Sequence, residues 1–243
     1  MTGTDQIEKD KSDFALAHRI IAYEGMHEGV HNHLTLMTAD PNDHFFVTPG
    51  GFHFSDIDQD DVLVMSLGGA LVSGGGEPNE SAWCLHAPIH KARPDARCAI
   101  HLHSTYSTAL MMRADSRLNE CASQAAAIFY NDVSYYDCYD GALREEEEGV
   151  RMAETLGEKS ILVLRNHGFF AVGASMGVAL ERAYFFERAC KFQLLAETGG
   201  HRLNEIPSRV VGAVQEEECA YLGRYFEGMR RKFHRLSTED RPQ

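Results

Sequence analysis

Two runs with almost no polar interruption fix most of what this chain can become. Ser160 to Arg165 reads as a fully apolar strand, and Arg97 to Leu102 as a buried one. Strands of this kind need helices packed on their sheet, and the chain supplies them. Phe14 to Met26 carries apolar residues at helical spacing, with Ser12 or Asp13 as cap and Gly25 as stop. Asn79 to Lys91, Ser104 to Met112, Ala142 to Leu156 and Ser175 to about Glu197 read as further helices, and one more follows Pro207. His33 to Thr38, Phe45 to Thr48, Asp61 to Ser66, Ala70 to Ser73 and Phe169 to Val172 read as short strands. Repeats, long linkers and low-complexity stretches are absent, so the 243 residues are expected to form one mixed α/β domain.

Charge narrows the function. Lys and Arg number 23 against 36 Asp and Glu, a balance of −13. Nucleic acid and polybasic membrane binding are both excluded on that ground, because phosphate contacts need a basic face. Nowhere does the sequence reach the roughly 18 apolar residues that span a bilayer. The polar segment Met1 to Asp13 lacks the apolar centre of a signal peptide. The six cysteines are scattered without a CxxC pair, which reads as reduced thiols and a cytoplasmic location.

The chemistry gathers at histidines. In a strand, His101 and His103 share one face, so both rings can reach one metal ion at the ~2.0–2.1 Å typical of zinc. Alone, that spacing also fits two exposed histidines. His167, in Asn166-His167-Gly168 directly after an apolar strand, stands where α/β proteins collect ligands, though a capping or core role fits it too. Three histidines from two strand ends would leave coordination positions open for water or substrate.

Four separated motifs then carry a resemblance. Asn79 to Asp95 runs into His101-Leu102-His103; Tyr136 to Gly141, Leu164-Arg165-Asn166-His167-Gly168 and Glu187 to Gln193 follow in order. Over about residues 14 to 200 the chain resembles the class II aldolase/adducin superfamily. That resemblance implies a three-layer α/β/α domain around a mixed, largely antiparallel sheet; beyond it, the chain's own pattern gives a helical tail over 207–243. It implies one divalent metal per chain on His101, His103 and His167, zinc first and manganese or iron(II) as alternatives. It also implies a homotetramer with sites at subunit boundaries.

The departures are as informative. The glutamate that sugar-phosphate aldolases carry at the start of the helix before the metal strand corresponds to Ala82, and Glu80 is the nearest candidate to replace it. The family's phosphate-binding positions correspond to His33, to the turn Gly50-Gly51 and to Glu80-Ser81. His33 could serve an anion only when protonated. Tyr139, in the cluster of Tyr130, Tyr135 and Tyr136 with Asp132, Asp137 and Asp140, is a candidate proton donor across a subunit boundary. His86 and His90 form one helical stripe, read as packing. The expected activity is a metal-dependent carbon–carbon lyase, aldolase or decarboxylase, working on a small unphosphorylated carbonyl or carboxylate compound through a metal-stabilised enolate. A three-histidine iron(II) oxygenase and a non-catalytic adducin-like assembly module are the alternatives.

Overall fold

The computed structural model describes residues 3–39, 43–114, 117–138 and 146–239. Its elements run α1 (Gly3–Tyr23), β1 (His33–Met37), β2 (His44–Val47), β3 (Leu63–Ser66), β4 (Leu71–Ser73), α2 (Glu80–Ala92), β5 (Cys98–Leu102) and α3 (Thr105–Met111). Then follow α4 (Gln124–Ala127), β6 (Val133–Tyr136), α5 (Glu146–Leu156), β7 (Ile161–Leu164), β8 (Gly168–Gly173), α6 (Met176–Glu197), α7 (Ser208–Cys219) and α8 (Arg224–Glu239). The eight strands form one sheet in the order β4-β3-β2-β1-β5-β8-β7-β6. Only β6 and β7 pair in parallel; every other neighbouring pair is antiparallel.

Alternation along the strands sends apolar side chains to both faces. Leu34, Leu36, Ile100, Leu102 and Phe169 meet Ile20, Ile21, Ala183 and Phe186 from α1 and α6. On the other face Ala99, Leu162, Phe170 and Val172 meet Leu85, Ile89, Met152 and Leu156 from α2 and α5. The three-layer order expected from the sequence is therefore present. Close contact between α2 and α5 depends on Gly149. A β-carbon there would lie 2.1 Å from the Cys84 carbonyl oxygen and 2.9 Å from Pro88 Cγ.

Besides the short α4, three elements differ from the sequence reading. Helix α1 begins at Gly3 rather than near Phe14. Its first turns are polar, held by Gln6–Asp10 and Lys9–Asp13 pairs one turn apart at 2.6 and 2.7 Å, and apolar spacing cannot find such turns. Strand β6 was not expected, because Val133-Ser134-Tyr135-Tyr136 shows no apolar alternation. The C-terminal helix is two helices, broken at Gly223, whose φ of 99° no continuing helix adopts. None of the six cysteines forms a disulfide, and Cys84, Cys98 and Cys190 are buried.

Candidate metal centre

Strand β5 carries His101 at its end, with His103 just beyond. The hairpin turn from β7 to β8 carries His167. Asn166 takes the left-handed conformation that this tight turn needs, with φ of 56°. Two residues on, position 168 must be glycine, since a β-carbon on Gly168 would lie 2.3 Å from the Leu102 carbonyl oxygen and 2.9 Å from the His103 ring. The two chain segments thus approach closely, and one ligand atom from each of His101, His103 and His167 falls within 4.8 Å of the others. This group could hold a metal ion.

The donor chemistry fits such an ion. His101 Nδ1 lies 3.1 Å from the Phe169 carbonyl oxygen, and His103 Nδ1 lies 2.6 Å from Glu28 Oε2. Both partners accept hydrogen bonds, so both rings carry hydrogen on Nδ1 and turn Nε2 inward. The two Nε2 atoms face each other at 2.9 Å. Two lone pairs at that distance repel, whereas a shared cation would satisfy both. Burial, with the neighbouring histidines, pushes His101 well below its ordinary basicity, and burial pushes His167 down to about 4. Neutral imidazole is the ligand form. Phe170 stacks on His101 with ring centroids 4.5 Å apart and closes one side of the centre.

The other candidate residues separate into groups. His33 is buried and stands directly opposite His101 in the β1–β5 ladder, with rings 4.9 Å apart. Burial, reinforced by His103 and His167, pushes it down to about 3, so the protonated anion partner considered above is not what this ring offers at neutral pH. The Gly50-Gly51 turn adjoins the start of α2: Gly50 N–H donates to the Glu77 carbonyl at 3.0 Å. Ser81 lies in the first turn of α2, where its N–H donates to the capping Asn79 side chain at 3.1 Å. The structure therefore sets Gly50 beside the segment that leads into α2. Glu80 opens α2, and its side chain lies outside the described residues. So does Tyr139. Ala82 is fully buried in the apolar cluster of Phe45, Val47, Leu63 and Met65, so this helix turn offers no carboxylate at that position. Tyr135 is structural: its hydroxyl accepts from Leu118 N–H at 3.0 Å, and burial pushes it up to about 12.

Glu28 was missed by sequence reasoning. It lies in the loop between α1 and β1, and only the folded chain sets it beside His103. The buried chain through Thr35, His86 and His90 was missed as well. The stripe of His86 and His90 was its one visible signal.

Comparison with known proteins agrees with this architecture. The family model for the Class II Aldolase and Adducin N-terminal domain matches residues 12–194. Alpha-adducin of Mus musculus is 31% identical over 212 residues, covering 82% of this chain but 28% of the adducin. The chain thus spans under a third of the length of that relative. An aldolase II superfamily protein from Pseudomonas syringae superposes with a TM-score of 0.86 at 26% identity, covering 95% of this chain and 94% of its own. L-fuculose 1-phosphate aldolase from Glaciozyma antarctica PI12 gives 0.84 at 27% identity, covering 99% and 95%. The chain belongs to the class II aldolase/adducin family.

Proposed function

We propose that this class II aldolase/adducin domain is a metal-dependent carbon–carbon lyase, an aldolase or decarboxylase, acting on a small unphosphorylated carbonyl or carboxylate compound. The observation that carries it is the triad of His101, His103 and His167, with the tautomers of two rings already set by Phe169 and Glu28. A divalent ion bound there, zinc first, supplies Lewis-acid polarisation of a carbonyl oxygen. The chain's own part is to keep His101 and His167 neutral and the rings fixed, to close one side with Phe170, and to offer His33 beside the centre. The altered phosphate positions support an unphosphorylated substrate: a glycine pair in the turn and Glu80 in the first turn of α2. A missing hydroxyl donor weakens a charged acceptor by roughly 1.5–3 kcal/mol.

Metal analysis of protein purified without added metal tests the first half. About one ion per chain is expected, and His103→Ala should abolish it with the circular dichroism unchanged. Retained metal in that variant would refute the ligand set. The second half is tested by a panel of ketose 1-phosphates and unphosphorylated hydroxycarbonyl and keto acids, with zinc, manganese and iron(II) supplied in turn. Phosphosugar turnover in the ordinary range of about 1–10³ s⁻¹ would restore a sugar-phosphate aldolase. The similarity to alpha-adducin favours a second reading, a non-catalytic assembly module. Protein that binds no stoichiometric metal would support that reading instead.

A further inference from the structure

Four polar side chains lie in single file between β1 and α2. His33 Nδ1 is 2.7 Å from His86 Nε2, and His86 Nδ1 is 2.7 Å from Thr35 Oγ1. Thr35 Oγ1 is 2.8 Å from His90 Nε2, and His90 Nδ1 is 2.8 Å from the Ala96 carbonyl oxygen. All four are buried, and among the described residues none bonds a carboxylate.

The far end gives the file a direction. A carbonyl oxygen only accepts, so His90 carries its hydrogen on Nδ1 and leaves a lone pair on Nε2. The Thr35 hydroxyl must donate to that lone pair. Its oxygen then accepts from His86 Nδ1. His86 Nε2 is left as an acceptor and takes the hydrogen on His33 Nδ1. The hydrogen-bond order set at Ala96 therefore reaches His33 and leaves a lone pair on its Nε2. That atom has no hydrogen-bond partner among the described residues. Nor is His33 among the three histidines whose nitrogens converge.

We propose that this relay fixes His33 as a hydrogen-bond acceptor beside the metal centre, so that the substrate group it receives is a hydroxyl rather than a phosphate or carboxylate. The proposal rests on the lyase reading above and narrows its substrates to hydroxycarbonyl compounds. A hydroxyl brings the hydrogen that such a contact needs. An anionic oxygen brings only a second lone pair, and the contact repels. The histidine at this position thereby reverses the sign of what it can hold: it excludes the anion that a donor side chain would welcome.

Zinc-loaded protein labelled with ¹⁵N-histidine tests this directly, with the His33 ring signals identified through His33→Gln. At pH 7.5 hydrogen is expected on Nδ1 and none on Nε2. The Nε2 signal should shift on adding dihydroxyacetone and stay in place on adding sulfate, an anion that carries no hydrogen at this pH. Calorimetry gives the second measurement. His86→Leu, which strips His33 of its acceptor, should weaken dihydroxyacetone binding by at least about tenfold while zinc stoichiometry holds. A hydrogen on Nε2, or a sulfate-induced shift there, overturns the proposal; so does loss of zinc from His33→Gln, which would make His33 a ligand. Should His86→Leu not fold, the wild-type spectrum decides alone. Wild-type protein that binds no zinc strikes the lyase reading, and its His33 tautomer still decides this one.

Discussion

Glu28 shows how a largely exposed side chain can matter to a half-buried centre. Its carboxylate holds His103 at 2.6 Å while 60% of the side chain remains in solvent. Surface pairs of this kind add little to folding, but a partner that orients a metal ligand is worth roughly 10–100-fold in metal affinity. Glu28→Gln should therefore weaken zinc binding by about that factor, read by chelator competition, and leave the urea midpoint nearly unchanged. His18 makes the opposite case. It is fully buried between Phe14 and Phe54, its Nδ1 lies 2.8 Å from the Phe14 carbonyl oxygen, and its Nε2 has no partner. Burial pushes it from 6.5 down to about 4. The unfolded chain then binds the extra proton, so this contribution is intact above about pH 6.5 and is lost as pH falls toward 4. Relative to His18→Leu, wild-type protein should lose about 2 kcal/mol between pH 7.5 and pH 5, measured by urea unfolding without metal.

At the scale of elements, Gly149 decides how closely α5 lies on α2. Gly149→Ala should cost about 1–3 kcal/mol, since the new methyl meets a main-chain carbonyl rather than a yielding side chain. Gly212→Ala, in α7 with open space around it, should instead gain about 0.4–1 kcal/mol. Denaturant midpoints of the two variants should move in opposite directions. The same scale explains what could be read in advance. His101-Leu102-His103 and Asn166-His167-Gly168 were legible because two-residue strand spacing and a turn after an apolar strand are local signals. The start of α1 and the strand β6 were not, because polar pairing and parallel contact with β7 hold them in place of an apolar pattern. Glu28 pairs with a residue 75 positions away, and His33 with one 53 positions away. No spacing rule along the chain joins such partners, and His86 and His90 looked like packing for that reason.

For the whole molecule, we propose a homotetramer, as expected from the resemblance. Edge strand β4 leaves Leu71 and Val72 44% and 49% exposed, with Phe52 41% exposed elsewhere, a pattern that association would cover. Sedimentation at low micromolar concentration should give about four times the chain mass of 27.1 kDa, and a clean monomer would refute it. Among the described residues, no helix is long and apolar enough to cross a membrane. The position of β5 has a kinetic consequence. Hydrogen-bonded on both sides, with four strands beyond it one way and three the other, it can be loosened only by opening the sheet itself. Amide hydrogens at Ile100 and Leu102 should therefore exchange with solvent as slowly as the whole fold opens. The His167 turn lies between strands, held by Arg165 N–H on the Tyr136 carbonyl at 3.1 Å and by the Thr108 hydroxyl on the His167 carbonyl at 3.4 Å. How long an ion stays will then be set by how often that turn lifts, and two ligands will be waiting in place when it settles again.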